Sequence, residues 1–261
     1  METHAENVRI VYDDMGQGEP ALLFTPGWCA SRTMYRQLMS LCSAHRRTLT
    51  LDWAGHGDSE MPSKDFGASA LVADAIAVIE ASNVQQVVPV TNAHSGWIAI
   101  ELRRQLGERI SKIVFLDWII LQAPASFLNI LQGLQDPQHW LEARERLFST
   151  WLAGVDNADV NSFVRGTMGS YNFDMWSRSG REISRAYAQA GSPLQELNTL
   201  HPPVSALHLY TQPDDPAYLA AQQAFAEAHP WFKVQKLAAP SHFPMIEVPE
   251  QVAQAIEHFV V

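Results

Sequence analysis

The stretch Gln86–Trp97, QVVPVTNAHSGW, decides the fold because it joins a strand to a helix through a tight turn. Its first half, Gln86–Thr91, is rich in β-branched residues and is predicted to be a buried strand. The apolar spacing of Trp97–Leu106 is typical of a helix. In an open parallel sheet, ligands bind beyond the carboxyl ends of the strands. The turn between these two elements is therefore a candidate part of a functional site.

The same alternation of short apolar runs and helix-length segments continues on both sides of this stretch. Such alternation implies crossover connections and a mostly parallel sheet with helices on both faces, which is an α/β fold. The other predicted strands are Val8–Tyr12, Ala21–Phe24, Thr48–Trp53, Lys112–Asp117, Val204–Tyr210 and Lys233–Leu237. The other predicted helices are Thr33–Ser43, Ala68–Ala81, Ala217–Ala228 and Gln251–Val260.

The alternation breaks between Ile119 and Leu197. This segment has a helical composition, contains no convincing strand and carries large aromatic residues throughout. Because both of its flanks belong to the predicted sheet, it is interpreted as an insertion and not as an independent domain. We predict an α/β core formed by residues 1–118 and 198–261, with residues 119–197 as a helical cap over the strand ends.

The composition excludes several classes of protein. The chain has 261 residues, of which 47% are hydrophobic and 18% charged, so it is not a disordered chain. A net charge of −10 argues against a nucleic-acid partner. Two cysteines cannot build a disulfide framework, and they suit a cytoplasmic protein. No apolar run is long enough to span a membrane, and the N-terminus is not predicted to be a signal peptide.

Three landmarks follow predicted strands in a recognisable order. They are the G-H-G-D-S turn at 55–59, the turn near Ala93 and a late histidine in the S-H-F-P sequence at 241–244. Their order resembles the α/β-hydrolase fold along essentially the whole chain. In that fold the turn near Ala93 is the nucleophile elbow, which needs small residues two positions before and after its apex.

Two registers of this elbow are open. In the first, Ala93 occupies the apex, and a methyl group cannot attack a carbonyl carbon. In the second, Ser95 occupies the apex, but Trp97 then stands where a small residue is needed. We favour the first register and keep the second as the alternative.

His242 follows the last predicted strand, where the fold places its catalytic base. A histidine base needs a carboxylate to orient its other ring nitrogen. Asp117 ends an apolar strand, where an unpaired carboxylate would be costly, so it is the favoured partner. Asp214 and Asp215 are the alternatives, although Asp215 before a proline is also a strong signal for a helix N-cap.

No motif for a bound metal ion or nucleotide cofactor is present. The chain lacks H-E-x-x-H, a cysteine pair at ligand spacing and a G-x-G-x-x-G sequence after a strand. We therefore expect no metal site and no cofactor, and a His–Asp pair without a serine that removes a proton without forming an acyl-enzyme.

A narrower resemblance rests on ten motifs distributed between residues 26 and 244. They are Pro26-Gly27-Trp28-Cys29, Asp52-Trp53-x-Gly55-His56-Gly57, His94-x-Gly96-Trp97, Asp117-Trp118, Phe148-x-x-Trp151, Trp176-x-Arg178-x-x-Arg181-Glu182-Ile183, Gly191-Ser192-Pro193, Gln212-Pro213, His229-Pro230-Trp231-Phe232 and His242-Phe243-Pro244. Together they resemble the cofactor-free 2,4-dioxygenases that cleave 3-hydroxy-4(1H)-quinolones. This resemblance implies a small aromatic substrate, O2 as co-substrate, and carbon monoxide plus an N-acyl- or N-formylanthranilate as products.

Carried onto this chain, the resemblance implies that His242 deprotonates the substrate 3-hydroxyl and that Asp117 orients it. It also implies an oxyanion hole made by the backbone N–H groups of Trp28 and His94. Members of the family keep a serine at the position of Ala93, where it contacts the substrate hydroxyl, and this chain departs from them there. They also carry other residues at the positions of Asn92 and Ala30.

The cap aromatics Trp151 and Trp176 are candidates to line the substrate ring, although packing within the cap would explain each of them equally well.

Two other functions remain as alternatives. The first is a serine hydrolase, an esterase or C–C hydrolase, that uses Ser95, His242 and either Asp215 or Asp117. The second is a catalytically silent binding protein that kept the fold and lost the nucleophile. The sequence does not indicate an oligomeric state.

Overall fold

The parallel strands of a single central sheet end along one edge in the computed structural model, which describes residues 1–261. The eight strands are β1 (Glu2–Ala5), β2 (Val8–Met15), β3 (Ala21–Thr25), β4 (Thr48–Leu51), β5 (Val87–Asn92), β6 (Lys112–Leu116), β7 (Ser205–Tyr210) and β8 (Phe232–Lys236). Their order across the sheet is β1-β2-β4-β3-β5-β6-β7-β8. The pairs β1–β2 and β2–β4 are antiparallel, and all later pairs are parallel. The predicted α/β-hydrolase fold is confirmed.

Most strand predictions differ from the structure by a residue or more at their ends, β2 extends to Met15, and three differences have a clear physical cause. Strand β1 was not predicted because its sequence, ETHA, has no apolar alternation, and it forms by pairing with β2. The predicted strand Thr48–Trp53 ends at Leu51, because Asp52 turns to accept hydrogen bonds from backbone N–H groups of other residues. The predicted strand Lys112–Asp117 ends at Leu116, because Asp117 adopts a left-handed backbone with φ of 49°.

The core helices flank this sheet. The first three are α1 (Arg36–Ser43), α2 (Ala68–Ala81) and α3 (Gly96–Leu106). The predicted helix Thr33–Ser43 is in two parts, because a 3-10 turn at Arg32–Tyr35 precedes α1. None of the helices in the protein combines the length and the apolarity needed to span a bilayer.

The regular secondary structure of the segment 119–197 is all helical, with no strand. Its helices are α4 (Ala125–Leu134), α5 (Trp140–Trp151), α6 (Ala158–Ser162), α7 (Phe173–Ala190) and α8 (Pro193–Leu197). A π-helical turn at Phe163–Thr167 follows α6. The chain then returns to the sheet, where α9 (Pro216–Ala228), α10 (Pro244–Glu247) and α11 (Pro249–Val260) complete the fold. The division of the chain into core and cap at residues 118 and 198 stays a prediction.

Helix α7 is fixed to the segment that leads into α2. Glu182 is buried, and its Oε2 accepts a hydrogen bond of 3.0 Å from the backbone N–H of Ala68. Arg181 donates to the carbonyl oxygen of Phe66 at 3.1 Å. Arg178 pairs with Asp65 at 3.1 Å. We call these three contacts the cap latch, and they explain why an arginine-rich motif lies on a partly buried helix.

Candidate active site

The turn after β5 has Ala93 at its apex. Ala93 has φ of 49°, and non-glycine residues rarely adopt this left-handed conformation outside functional turns. A 3-10 turn covers Ala93–Ser95, and α3 begins at Gly96. Ala93 lines a large cavity at this end of the sheet. The geometry of the elbow therefore follows the first register, with no nucleophilic atom at its apex.

Ser95 is enclosed beneath the elbow. Its side chain is 3% exposed, and its hydroxyl lies 2.8 Å from the carbonyl oxygen of Asn92 and 3.0 Å from that of Thr25. Ser95 does not line the cavity. A hydroxyl in this position serves the packing of the turn and cannot reach a ligand in the cavity.

His242 and Asp117 form a hydrogen-bonded pair at the cavity. Nδ1 of His242 lies 2.8 Å from Oδ1 of Asp117, and both residues line the cavity wall. The side chain of Asp117 is 2% exposed, whereas that of His242 is 13% exposed. Because Asp117 takes the Nδ1 side of the ring, Nε2 is the nitrogen left to exchange a proton with a ligand.

The second carboxylate oxygen of Asp117 is held by the end of β7. Oδ2 accepts hydrogen bonds from the backbone N–H groups of Thr211 at 2.7 Å and Gln212 at 3.3 Å, and it also contacts the Thr211 hydroxyl. These contacts satisfy the buried carboxylate of Asp117 and fix its orientation. Sequence reasoning missed Thr211, although its place directly after a predicted strand was a usable signal.

The alternative acids line the same cavity but have other partners. Asp215 accepts a hydrogen bond of 2.8 Å from the backbone N–H of Ala217, so it caps helix α9 as its Asp-Pro sequence suggested. Asp214 forms an ion pair with Lys236. All three charged residues line the mouth of the cavity, and neither aspartate is hydrogen-bonded to His242.

Trp28 and His94 lie on one wall of the cavity because two strand ends are adjacent. Strands β3 and β5 pair in parallel, with Thr25 opposite Thr91. The turns that follow them approach so closely that a Cβ on Gly27 would lie 3.4 Å from the Asn92 side-chain oxygen. This arrangement brings the two expected oxyanion-hole residues together beside Ala93, and the role of their N–H groups stays a prediction.

The cap contributes aromatic walls. Trp151 stacks on His242 with ring centroids 5.1 Å apart and planes 9° apart. Trp176 is 2% exposed, packs edge-on against Phe148 and lines the same cavity. Both tryptophans are therefore at the site, Trp151 in contact with the histidine and Trp176 deeper in the cap.

The cavity has a volume of about 880 Å³ and two unlike sets of lining residues. The polar set is Gln212 together with the three charged residues already named, which are exposed. The apolar set comes from the cap and is mostly buried. Its members are Ile130, Leu131, Leu134, Leu147, Met168 and Ile183. A ligand that carries both a planar polar ring and an apolar substituent would match this division.

Burial makes a second cavity histidine a neutral group. His94 is half-buried, lines the cavity and packs on Phe127 and Tyr187. Burial lowers the pKa of His94 to about 3, and repulsion from His242 contributes in the same direction. No group of three or more His, Cys, Asp or Glu side chains is arranged to hold a metal ion.

Comparisons with known proteins identify the family of the chain. The alpha/beta hydrolase family model matches residues 22–255. A 2-heptyl-3-hydroxy-4(1H)-quinolone dioxygenase from Mycobacteroides abscessus is 39% identical over 249 residues, which are 94% of this chain and 92% of that protein. A 1H-3-hydroxy-4-oxoquinoline 2,4-dioxygenase from Pseudomonas putida is 32% identical, over 96% of both chains.

A solved structure also superposes on the whole chain. It shows AqdC, described for recognition and ring-cleavage of the Pseudomonas quinolone signal, in complex with its product. The TM-score is 0.95 at 36% sequence identity, and the superposition covers 100% of both chains.

Proposed function

The chain belongs to the alpha/beta hydrolase family and, within it, to the quinolone dioxygenases, and from this membership we propose that it cleaves the heterocyclic ring of a 3-hydroxy-4(1H)-quinolone with O2. Its partners are then a small aromatic substrate and dioxygen. The observation that carries the proposal is a His242–Asp117 pair that faces a large aromatic-walled cavity beside an elbow with an alanine apex.

His242 acts as the base in this proposal and Asp117 as its orienting partner. The 3-hydroxyl of the substrate is phenol-like, with a pKa of about 10, against about 6.5 for histidine. Proton transfer is then uphill by roughly 3–4 pKa units, or about 5 kcal/mol. Asp117 offsets part of this cost by stabilising the imidazolium. A well-placed hydrogen-bond donor to the substrate anion, such as the backbone N–H of Trp28 or His94, contributes about 3 kcal/mol.

The anion left by deprotonation is electron-rich enough to react with O2, and the remaining steps follow the family resemblance. Dioxygen forms a bond to C2, and the resulting peroxide oxygen attacks C4 to close a C2–O–O–C4 bridge. Cleavage of the O–O, C2–C3 and C3–C4 bonds expels C3 with the former 3-hydroxyl oxygen as carbon monoxide and leaves an N-acylanthranilate. Both oxygen atoms of O2 end in the organic product, and the proton held by His242 returns to it. No metal ion or organic cofactor takes part in these steps.

The division between polar and apolar lining residues favours one orientation of the substrate. The 3-hydroxyl lies at His242, the ring against Trp151, and a 2-alkyl substituent extends toward the apolar cap residues around Leu131 and Trp176. We also propose a cytoplasmic location, which the two buried free cysteines Cys29 and Cys42 support.

The decisive experiment compares two quinolones that differ in one group. Oxygen uptake and carbon monoxide release are measured with a 3-hydroxy-2-alkyl-4-quinolone and with the same compound without its 3-hydroxyl. We expect equal amounts of O2 consumed and CO released with the first compound and neither with the second. Ester hydrolysis without CO release from either quinolone would overturn the proposal.

A further inference from the structure

Trp118 is a buried hydrogen-bonding centre next to Asp117. It is 1% exposed, and its backbone N–H donates to Nε2 of His208 at 3.3 Å. Its carbonyl oxygen accepts a hydrogen bond of 2.9 Å from the hydroxyl of Tyr218. Its indole N–H donates to Nδ1 of His94 at 3.3 Å. Contacts on the backbone and on the side chain thus hold this tryptophan in one position.

The indole contact fixes the tautomer of His94. An indole nitrogen is only a donor, so Nδ1 of His94 must accept, and the single proton of the neutral ring is carried by Nε2. The ring is also fixed in orientation. It stacks on Phe127 with planes 13° apart and meets Tyr187 edge-on.

Nε2 of His94 is available to a ligand. It donates no hydrogen bond to another protein atom, and it is accessible, because it does not belong to the fully enclosed polar atoms without a partner. His94 lines the cavity together with His242. Its lowered pKa, about 3, keeps the ring neutral at neutral pH.

Resting on the proposed function, we propose that the His94 side chain, held in its Nε2–H tautomer by Trp118, donates a hydrogen bond to an oxygen of the substrate anion. A neutral imidazole is a very weak acid, so it stabilises an oxyanion without giving it a proton. An imidazolium in the same place would protonate the anion before O2 reacts. The two cavity histidines therefore have opposite tasks, because His242 removes the proton and His94 holds the anion.

This assignment makes Trp118 a positioning residue and explains a neighbouring glycine. A Cβ on Gly96 would lie 2.3 Å from the six-membered ring of Trp118. Any side chain at Gly96 would therefore displace the indole that holds His94. The motifs His94-x-Gly96-Trp97 and Asp117-Trp118 are thus two halves of one contact.

The first test observes the tautomer directly. Long-range ¹H–¹⁵N spectra of the wild-type protein report which ring nitrogen of His94 carries hydrogen. We expect the Nε2–H form in the wild type and a mixture of tautomers in Trp118→Phe. Trp231→Phe is the control, since this tryptophan packs on Phe225, His229 and Phe232 and its loss should leave His94 unchanged. An Nδ1–H tautomer or an imidazolium in the wild type at neutral pH would overturn the assignment.

The second test separates binding from turnover. A 3-hydroxy-2-alkyl-4-quinolone is titrated without oxygen, and its absorbance reports the fraction ionised on the protein. His94→Phe keeps an aromatic ring but removes the donor, and His94→Gln keeps a neutral N–H donor. We expect the first variant to lose the ionised fraction and about 100-fold in kcat, and the second to stay within about 10-fold of the wild type.

The outcomes distinguish the two proposals. If the wild type binds, ionises and cleaves the quinolone and His94→Phe does so equally well, only the role of His94 is wrong. If the wild type neither binds nor cleaves the quinolone, the proposed function and the role of His94 both fail.

Discussion

At the scale of single residues, the proton balance depends on His242 and Asp117. His242→Ala should remove nearly all ring cleavage at neutral pH, and activity should partly return at high pH as the substrate ionises in solution. Asp117→Asn should lose less, because the imidazole remains but is poorly oriented and its cation is less stabilised. Steady-state oxygen uptake between pH 6 and pH 10 measures both variants. Asp215→Asn is the control. A larger loss of activity in Asp215→Asn than in Asp117→Asn would show that Asp117 is not the orienting acid.

The apex of the elbow gives a second prediction at this scale. Ala93→Ser should fold normally, since serine has the same Cβ in the left-handed backbone that alanine already adopts. The added hydroxyl can bridge His242 and the substrate oxygen, so its effect on ring cleavage should be about 1 kcal/mol, or several-fold in rate. No esterase activity should appear. Hydrolysis of p-nitrophenyl esters and CO release, measured on both proteins, check these expectations.

Ser95→Ala is the matched control for the elbow. Its hydroxyl is enclosed and does not line the cavity, so turnover should stay within a few-fold of the wild type. A loss of three orders of magnitude, together with covalent labelling of the wild type by a fluorophosphonate, would restore the serine hydrolase alternative.

At the scale of helices and strands, the cap latch gives a third prediction. Glu182→Gln should lower the free energy of unfolding by about 1–3 kcal/mol, because a buried acceptor that serves Ala68 and Arg181 loses its charge. Glu142→Gln removes an exposed partner of Arg146 on α5 and should change stability little. Chemical denaturation measures both variants. Equal effects would mean that the latch does not stabilise the cap.

The sequence predicted elements well where the pattern was local. Helix α2 begins and ends as predicted, at Ala68 and Ala81, because its apolar periodicity and the glycine before it need no distant partner. Strand β1 was missed because its stability comes from pairing alone. The left-handed backbone of Asp117 was not predictable either, since it depends on hydrogen bonds from the end of β7, 94 residues away in sequence.

The candidate site shows the same limit. His242 and Asp117 could be selected because Asp117 ends one predicted strand and His242 follows another. The pairing of Trp118 with His94 could not, because nothing in the spacing of these residues indicates which indole meets which ring nitrogen. Sequence reasoning assigned His94 only a backbone role, whereas its side chain is also a fixed donor at the cavity.

At the scale of the whole molecule, one buried carboxyl group links stability to pH. Asp74 on α2 is 2% exposed and accepts a hydrogen bond of 2.8 Å from the backbone N–H of Ala54. Burial raises its pKa to about 7. The folded state therefore holds this proton more tightly than the unfolded state, so the stabilisation is complete below about pH 4 and is lost as pH rises through 7.

Asp74→Asn removes this dependence and gives the fourth prediction. Between pH 5.5 and pH 8.5 the wild type should lose about 2 kcal/mol of stability relative to the variant. Urea denaturation of both proteins at the two pH values gives the difference. A constant difference would place the pKa of Asp74 near its ordinary value.

The cap leaves the sheet after β6 and returns to it at β7, and these two strands are direct neighbours. The hydrogen bonds between Asp117 and Thr211 close the insertion at its base. The cap helices between β6 and β7, apart from residues such as Trp151 that touch the site, can therefore change in length or sequence while the strands and the acid stay paired. In evolutionary terms, the breadth of accepted substrates and the acid–base chemistry form separable modules. A related protein with a different cap can therefore keep the same His–Asp pair for proton transfer.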